Sequence, residues 1–258
     1  MLTRTPAKSR NLTFGLLMLA PLVVVFVTMG PIAQDSAYHG LADGRTLFGI
    51  PNFVNVATNV GFLVVGALGL HLFFTARVPG ATRSWAVFFL GILLIAFGSA
   101  HYHLHPTHET LVWDRLPMTI ALMALFSALV AEHVSPDAER KLLPVALATG
   151  IFSVVWWYYS DDLRFYAWVQ FGPLAATLYM LLAYAGRYPH RGYLALGIVF
   201  YAIAKVCEFA DGAIFSATAG AISGHSLKHL AAALAPLCVY LMLRARLTPY
   251  SASLRQSP

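Results

Sequence analysis

Six of the ten histidines in this 258-residue chain fall in two short stretches. The first, Gly98-Ser99-Ala100-His101-Tyr102-His103-Leu104-His105-Pro106-Thr107-His108-Glu109, holds four; the second, Gly224-His225-Ser226-Leu227-Lys228-His229, holds two. His225 and His229 are four residues apart, which on a helix sets both imidazoles on one face about 6 Å apart along the axis, the spacing at which one metal takes two ligands. Ser99 and His103 share that relation. A third imidazole from the first stretch completes a three-histidine set with a fourth position left for water, the open arrangement of a catalytic zinc. Spacing alone leaves His101, His103 and His105 as equal candidates. Between the stretches lies Trp113-Asp114-Arg115-Leu116-Pro117. There Asp114 reads either as a helix N-cap ahead of a first-turn proline or as an ionisable group of the kind that apolar surroundings tolerate only where it has a function.

The elements that position these residues follow from composition. The chain is 59% hydrophobic and 11% charged, with a mean hydropathy of +0.68, whereas soluble domains carry roughly a quarter charged residues. A soluble globule is excluded, and the pattern is that of a polytopic membrane protein. Uncharged apolar runs occupy Leu12–Ile32, Phe53–Phe74, Trp85–His103, Leu116–Ala131, Leu142–Tyr159, Tyr166–Tyr184, Tyr193–Ala210 and His225–Leu243, each about the length needed to cross a hydrocarbon core. They are continuous and not alternating, so they predict an all-α transmembrane bundle of eight spans and not a β-barrel. Residues 1–258 read as one integral-membrane domain with no room for a sizeable soluble one. Cys207 and Cys238 sit within apolar runs as small hydrophobes, not as a disulfide framework.

The net charge of +6 and pI near 9.4 come without a basic stripe interleaved with aromatics, so nucleic acid is not an expected partner. Topology accounts for the excess. With an even number of spans, Arg4, Lys8, Arg10, Arg77, Arg83, Arg140, Lys141, Arg187, Arg191, Arg244, Arg246 and Arg255 share one side, and only Arg45, Arg115 and Arg164 take the other. The positive-inside rule then makes both termini cytoplasmic. The first span, 12–32, is read as a retained helix, because Pro31 suits a signal-peptide cleavage site ending at Ala33 poorly. In this orientation the end of span three and the starts of spans four and eight all lie at the extracytoplasmic face. Lys205, Glu208 and Asp211 extend polar character along one face of span seven and read as supporting partners; they do not form the continuous path across the bilayer that a transporter needs.

Ser99-x3-His103, ten residues to Asp114 and a final helix with His225-x3-His229 together resemble the signature of the alkaline ceramidases, part of a superfamily of seven-helix membrane hydrolases that includes the progestin and adiponectin receptors. The resemblance covers residues 52–243 and leaves the N-terminal helix 12–32 outside the seven-helix core. It implies His103, His225 and His229 as zinc ligands, Asp114 engaging the zinc-bound water and Ser99 lining the reacting centre, with no carried-over role for His101, His105 or His108. Asn55 and Asn59 look like the family's asparagines. The family's acidic calcium-binding segment is replaced by Gln34-Asp35-Ser36-Ala37-Tyr38-His39, so calcium dependence is not expected. Short tails and that missing segment resemble bacterial members, which points to an inner membrane.

The function expected is therefore zinc-dependent hydrolysis of the N-acyl bond of a ceramide-like lipid to a long-chain base and a fatty acid. The alternative is a non-catalytic, zinc-stapled receptor or lipid-binding membrane protein. The topology is checked by cysteines introduced at Pro106 and Ser223, expected to react with an impermeant thiol reagent only from the extracytoplasmic side; labelling of Pro106→Cys from the cytoplasm would overturn the orientation.

Overall fold

The computed structural model describes residues 7–184 and 188–254. Among the expected basic residues, Arg4, Arg187 and Arg255 lie outside the described residues. Every long apolar run becomes a helix: α1 Ala7–Thr28, α2 Phe53–Ala57, α3 Val60–Thr75, α4 Thr82–Leu104, α5 His108–His133, α6 Ala138–Ser160, α7 Leu163–Ala183, α8 Gly192–Phe209, α9 Asp211–Ala217 and α10 Gly224–Leu254. Among the described residues, eight helical segments, counting α2 with α3, are long and apolar enough to cross a membrane. The protein is an all-helical, multi-pass integral membrane protein. Among the described residues the sole β pairing is an isolated bridge between Leu47 and Ile50.

The bundle is built around α5, the most deeply buried of the spans. Trp85, Phe89, Ala124, Ala128 and Leu129 pack at its centre with almost no exposure. α1 lies outside this core, with a largely exposed apolar surface, and is laid along α7. Trp168 Nε1 donates to the Met18 carbonyl at 2.7 Å and Tyr184 Oη to Asn11 Oδ1 at 2.7 Å. At the α6–α7 turn Asp162 caps α7, accepting from Arg164 N, and pairs with the Arg164 guanidinium at 2.7 Å. That pairing pushes the Asp162 carboxyl down to about 2.

The sequence boundary of span four is corrected. α5 begins at His108, and Thr107 is its N-cap, with reciprocal bonds to Thr110 that form a capping box. Asp114 is therefore no cap, but sits more than a turn inside the helix. Pro117, also interior, has no N–H for the carbonyl of Trp113. Gly98 of α4 packs directly on that carbonyl, so closely that a Cβ would overlap it. A proline on one helix and a glycine on the next thus let α4 and α5 approach at the level of Ser99 and Asp114.

Two basic residues assigned to loops or tails are buried instead. Arg115 lies within α5 at 5% exposure and Arg246 within α10 at 3%. Arg246 makes a two-pronged pair with Glu132 of α5, Nη1 to Oε1 at 2.8 Å and Nη2 to Oε2 at 3.0 Å. Trp85 Nε1 of α4 joins the same carboxylate at 2.7 Å. Gly80, at φ +106°, passes so near Glu132 Oε1 that no side chain fits there. This cluster fastens α4, α5 and α10 at the end of the bundle away from the histidines. Removing one partner strands a buried charge, so Glu132→Ala should lower stability by about 3–5 kcal/mol, and Glu132→Leu combined with Arg246→Met should recover much of the loss. Thermal unfolding of the purified protein measures both.

Candidate metal centre

α4 ends where α10 begins in space, and three imidazoles meet there. His103 Nε2 lies 3.1 Å from His229 Nε2 and 3.3 Å from His225 Nε2. All three rings are buried, at 1%, 5% and 2% exposure for His103, His225 and His229. The choice that spacing left open is resolved by helix phase: His101 and His105 are exposed, while His103 shares the inward face of α4 with Ser99, itself 3% exposed. His108 packs against Trp157, ring centroids 4.5 Å apart, and stacks on Tyr158 at 5.8 Å, away from the cluster.

Whether these rings suit a metal is answered by their tautomers and spacing. Thr58 Oγ1 donates to the Val54 carbonyl at 2.8 Å, so toward His229 Nδ1, 2.9 Å away, it acts as acceptor. The proton of His229 thus sits on Nδ1, and its Nε2 lone pair faces the other two rings. Three facing nitrogens without a shared cation repel one another. Two nitrogens each about 2.0–2.1 Å from one tetrahedral metal lie about 3.3–3.4 Å apart, close to the separations found. The set fits a metal ion, and three neutral imidazoles are the donor chemistry of zinc.

The loop and short helix before α3 brace this centre. Asn52 Nδ2 donates to the His103 carbonyl at 2.8 Å. Asn55, fully buried, donates to the Asp43 carbonyl at 3.0 Å and accepts from Ser226 Oγ at 2.7 Å, which ties the first turn of α10 to α2. Asn59 donates to the Asn55 carbonyl at 2.8 Å. Asp211 is corrected from the single-face reading of span seven: α8 ends at Phe209, and Asp211 Oδ1 accepts from His225 N at 2.7 Å while Oδ2 accepts from Ala42 N at 3.0 Å. It positions the helix that carries two of the three histidines. Ser223 is fully buried, so the exposed Ala219 is the better labelling site for topology.

Beside the histidines opens a cavity of about 300 Å³ whose wall includes Ser99, Asp114, Lys228 and His229. The Ser99 hydroxyl faces the Asp114 carboxylate. From Asp114 the cavity follows α5 down to Leu125, eleven residues and about 16 Å at helical rise, and its foot is apolar. Tyr38 lies over the head of the cavity, where its phenol donates to Glu208 Oε1 at 3.4 Å. Burial and the nearby Glu208 and Asp114 carboxylates push that phenol well above its ordinary range, so it stays protonated.

Residues 48–246 match the family described as Ceramidase. The chain belongs to the ceramidase family. As a ceramidase-family protein it is a membrane amide hydrolase whose substrate is a lipid. No curated protein matches the chain in sequence. α1 lies outside the family match.

Sequence reasoning passed over Thr58 and Asn52, which read as part of an apolar run and its flank, and Arg115, which read as a loop cation. Only the 3.6-residue phase of Thr58 relative to Asn55 pointed to it. If these residues serve a metal, His103→Ala, His225→Ala and His229→Ala should each lower zinc occupancy, His101→Ala and His108→Ala should not, and Thr58→Val should weaken zinc affinity about 10- to 100-fold. Metal analysis under competitive chelation reads this out, and full zinc retention by His225→Ala/His229→Ala would refute the assignment.

Proposed function

We propose that this protein is a zinc-dependent amidohydrolase that cleaves the N-acyl bond of ceramide-like lipids, releasing a fatty acid and a long-chain base. The observation that carries the reading is a three-imidazole cluster placed beside a carboxylate and a hydroxyl at the head of a long apolar cavity. Zinc held by His103, His225 and His229 would supply Lewis acidity and activate a water molecule.

The chain's own residues do the rest. The apolar walls between α4, α5, α7, α8 and α10 take up the hydrocarbon chains and exclude bulk water, while the amide is held at the polar head. Asp114 accepts a proton from the attacking water and returns it to the departing nitrogen, which leaves poorly unless protonated. Ser99 donates a hydrogen bond to the carbonyl oxygen as it gains charge. Ser99 is not a nucleophile in this reading, because His103 turns its Nε2 toward the other two imidazoles and not toward the serine hydroxyl. A receptor would need the histidines as a staple but has no use for Asp114 and Ser99 facing an open cavity.

Calcium independence is part of the proposal. Asp35 is engaged as the cap of the turn Ser36–His39, and Asp43 by Arg45 at 2.7 Å, which holds its carboxyl below the usual range. We place both termini in the cytoplasm and the histidine cluster toward the extracytoplasmic face of a bacterial inner membrane, since moving Arg115 and Arg246 out of the loops takes one cation from each side and leaves the charge asymmetry standing. Residues 1–258 form one membrane domain, with 52–243 as its core and 12–32 as an added helix.

Ser99→Ala should keep its zinc and bind substrate yet lose about 10²- to 10³-fold in turnover, and Asp114→Asn should lose about 10²- to 10⁴-fold. Release of free fatty acid from a fluorescent N-acyl lipid measures both, with zinc content as the control for folding. An acyl adduct on Ser99 trapped from the native protein would overturn the mechanism, and a selective calcium requirement would overturn the reading of the Asp35 segment.

A further inference from the structure

Below its polar head the cavity is lined on the α4, α5 and α10 side by apolar residues, among them Phe88, Ile92, Met118, Leu125, Ala235 and Val239. The α7–α8 side differs. There Gln170 of α7 and Tyr201 of α8 line the same space, both only partly buried, and Gln170 Nε2 donates to Tyr201 Oη at 2.9 Å. Each lies four residues, about 6 Å at helical rise, below a residue of the head. Gln170 follows Tyr166 on α7, and Tyr201 precedes Lys205, which pairs with Glu208 within α8.

As a tie between two helices in a membrane such a bond is worth little, and a purely structural polar group closes on itself. Thr177, deeper in the same wall, does so: its Oγ1 donates to the Pro173 carbonyl at 2.8 Å. The Gln170–Tyr201 pair does not close. Its one bond leaves the phenol proton as a donor and Gln170 Oε1 as an acceptor, neither with a partner among the described residues. A donor and an acceptor side by side are satisfied together by one hydroxyl group, which accepts and donates. A bare hydrocarbon chain would leave both unmade.

The reacting groups decide which chain of the substrate passes this wall. Ser99 on α4 serves the carbonyl oxygen and Asp114 on α5 the departing nitrogen. Next to Asp114, the Arg115 guanidinium lies 3.9 Å from the Trp157 ring centroid and 4.5 Å from that of Tyr166 on α7. The nitrogen and the chain it carries are therefore turned toward α7, and the acyl chain toward the apolar wall. We propose that Gln170 and Tyr201 receive a hydroxyl of the long-chain base, Tyr201 donating to it and Gln170 Oε1 accepting from it. This rests on the amidohydrolase reading and assigns the residues that set its specificity and orient its substrate. A depth of about 6 Å is about five bonds of an extended chain, at roughly 3.3–3.6 Å for every three bonds, so the hydroxyl belongs on the third or fourth carbon of the base and not farther along it.

The full-length, zinc-loaded protein in nanodiscs is offered N-palmitoyl dihydrosphingosine, its 3-deoxy analogue and its 4-hydroxy analogue. The parent should exceed the 3-deoxy lipid in kcat/KM if the third carbon is read, or the 4-hydroxy lipid should exceed the parent if the fourth is. The expected preference is about tenfold, the scale of one hydrogen bond left unmade in apolar surroundings. Tyr201→Phe and Gln170→Leu should each bring that ratio toward one while zinc content is unchanged, whereas loss of a mere helix tie would slow all three lipids alike. Ratios near one at both carbons in the wild-type protein, or an undiminished ratio in Tyr201→Phe, would overturn the proposal. A second arm measures equilibrium binding of the three lipids to the zinc-loaded Asp114→Asn protein. Preferential binding of the hydroxylated lipid, with no cleavage of any of the three by the wild-type protein, sinks the hydrolase reading and upholds the hydroxyl subsite; cleavage without discrimination does the reverse.

Discussion

Three imidazole nitrogens within 3.3 Å of one another along the His225–His103–His229 chain of contacts are the constraint around which one end of this bundle is organised. In a medium of low dielectric their lone pairs cannot be left facing one another, and protonating more than one ring would bury like charges side by side. The surrounding residues fix that arrangement by hydrogen bonds: Thr58 sets the tautomer of His229, Asn52 holds the carbonyl end of α4, and Asp211 and Asn55 pin the first turn of α10. Each of these partners is itself satisfied by backbone, as buried polar groups must be. The short helix α2, which contributes little apolar packing, exists in this fold as a polar platform under the histidines.

The opposite end obeys the same rule with a different solution. Glu132, Arg246 and Trp85 close on themselves with complementary charge and full hydrogen bonding, so that end is inert. At the histidine end Glu208 and its two lysines stay partly exposed, and Arg115 keeps an unused donor. The contrast between a fully buried, balanced cluster and a partly exposed one that lines the cavity separates a structural tie from the wall of the site. Pro117 and Gly98 sit on the active side of that contrast, since their close helix contact sets the distance between Ser99 and Asp114.

Much of this was legible in the amino-acid sequence, for identifiable reasons. Long apolar runs leave a helix no competitor in a membrane, so the spans were clear. The pair His225 and His229 was clear because both lie on one helix, where spacing is geometry. His103 could not be told from His101 and His105 by spacing, since alternate residues at a helix end look equivalent until the phase of the whole helix is known. Asp114 was open to being a cap because the true start of α5 is marked by Thr107 and Thr110, a capping box without the usual glutamate. Asp211 was placed on the face of Lys205 and Glu208 by extending one helix through a break at Ala210. Arg115 was counted as a loop residue because nothing local reveals that Trp157 and Tyr166, from other helices, will close over it.

The separation of the ligands along the chain has a consequence for how the protein is made. His103 and His225 are 122 residues apart, with α5 to α9 threaded between them. The entropic cost of closing so long a loop grows only slowly with its length, but the closure cannot happen before those helices are inserted and packed. α4 alone offers a single buried imidazole, and α10 alone offers two on a lone helix face. A metal ion held by these three residues would therefore find no tight site on any partly inserted chain, and its capture would mark a bundle as finished. Retention of an ion by the three histidines would then report, by itself, that α4 and α10 have met.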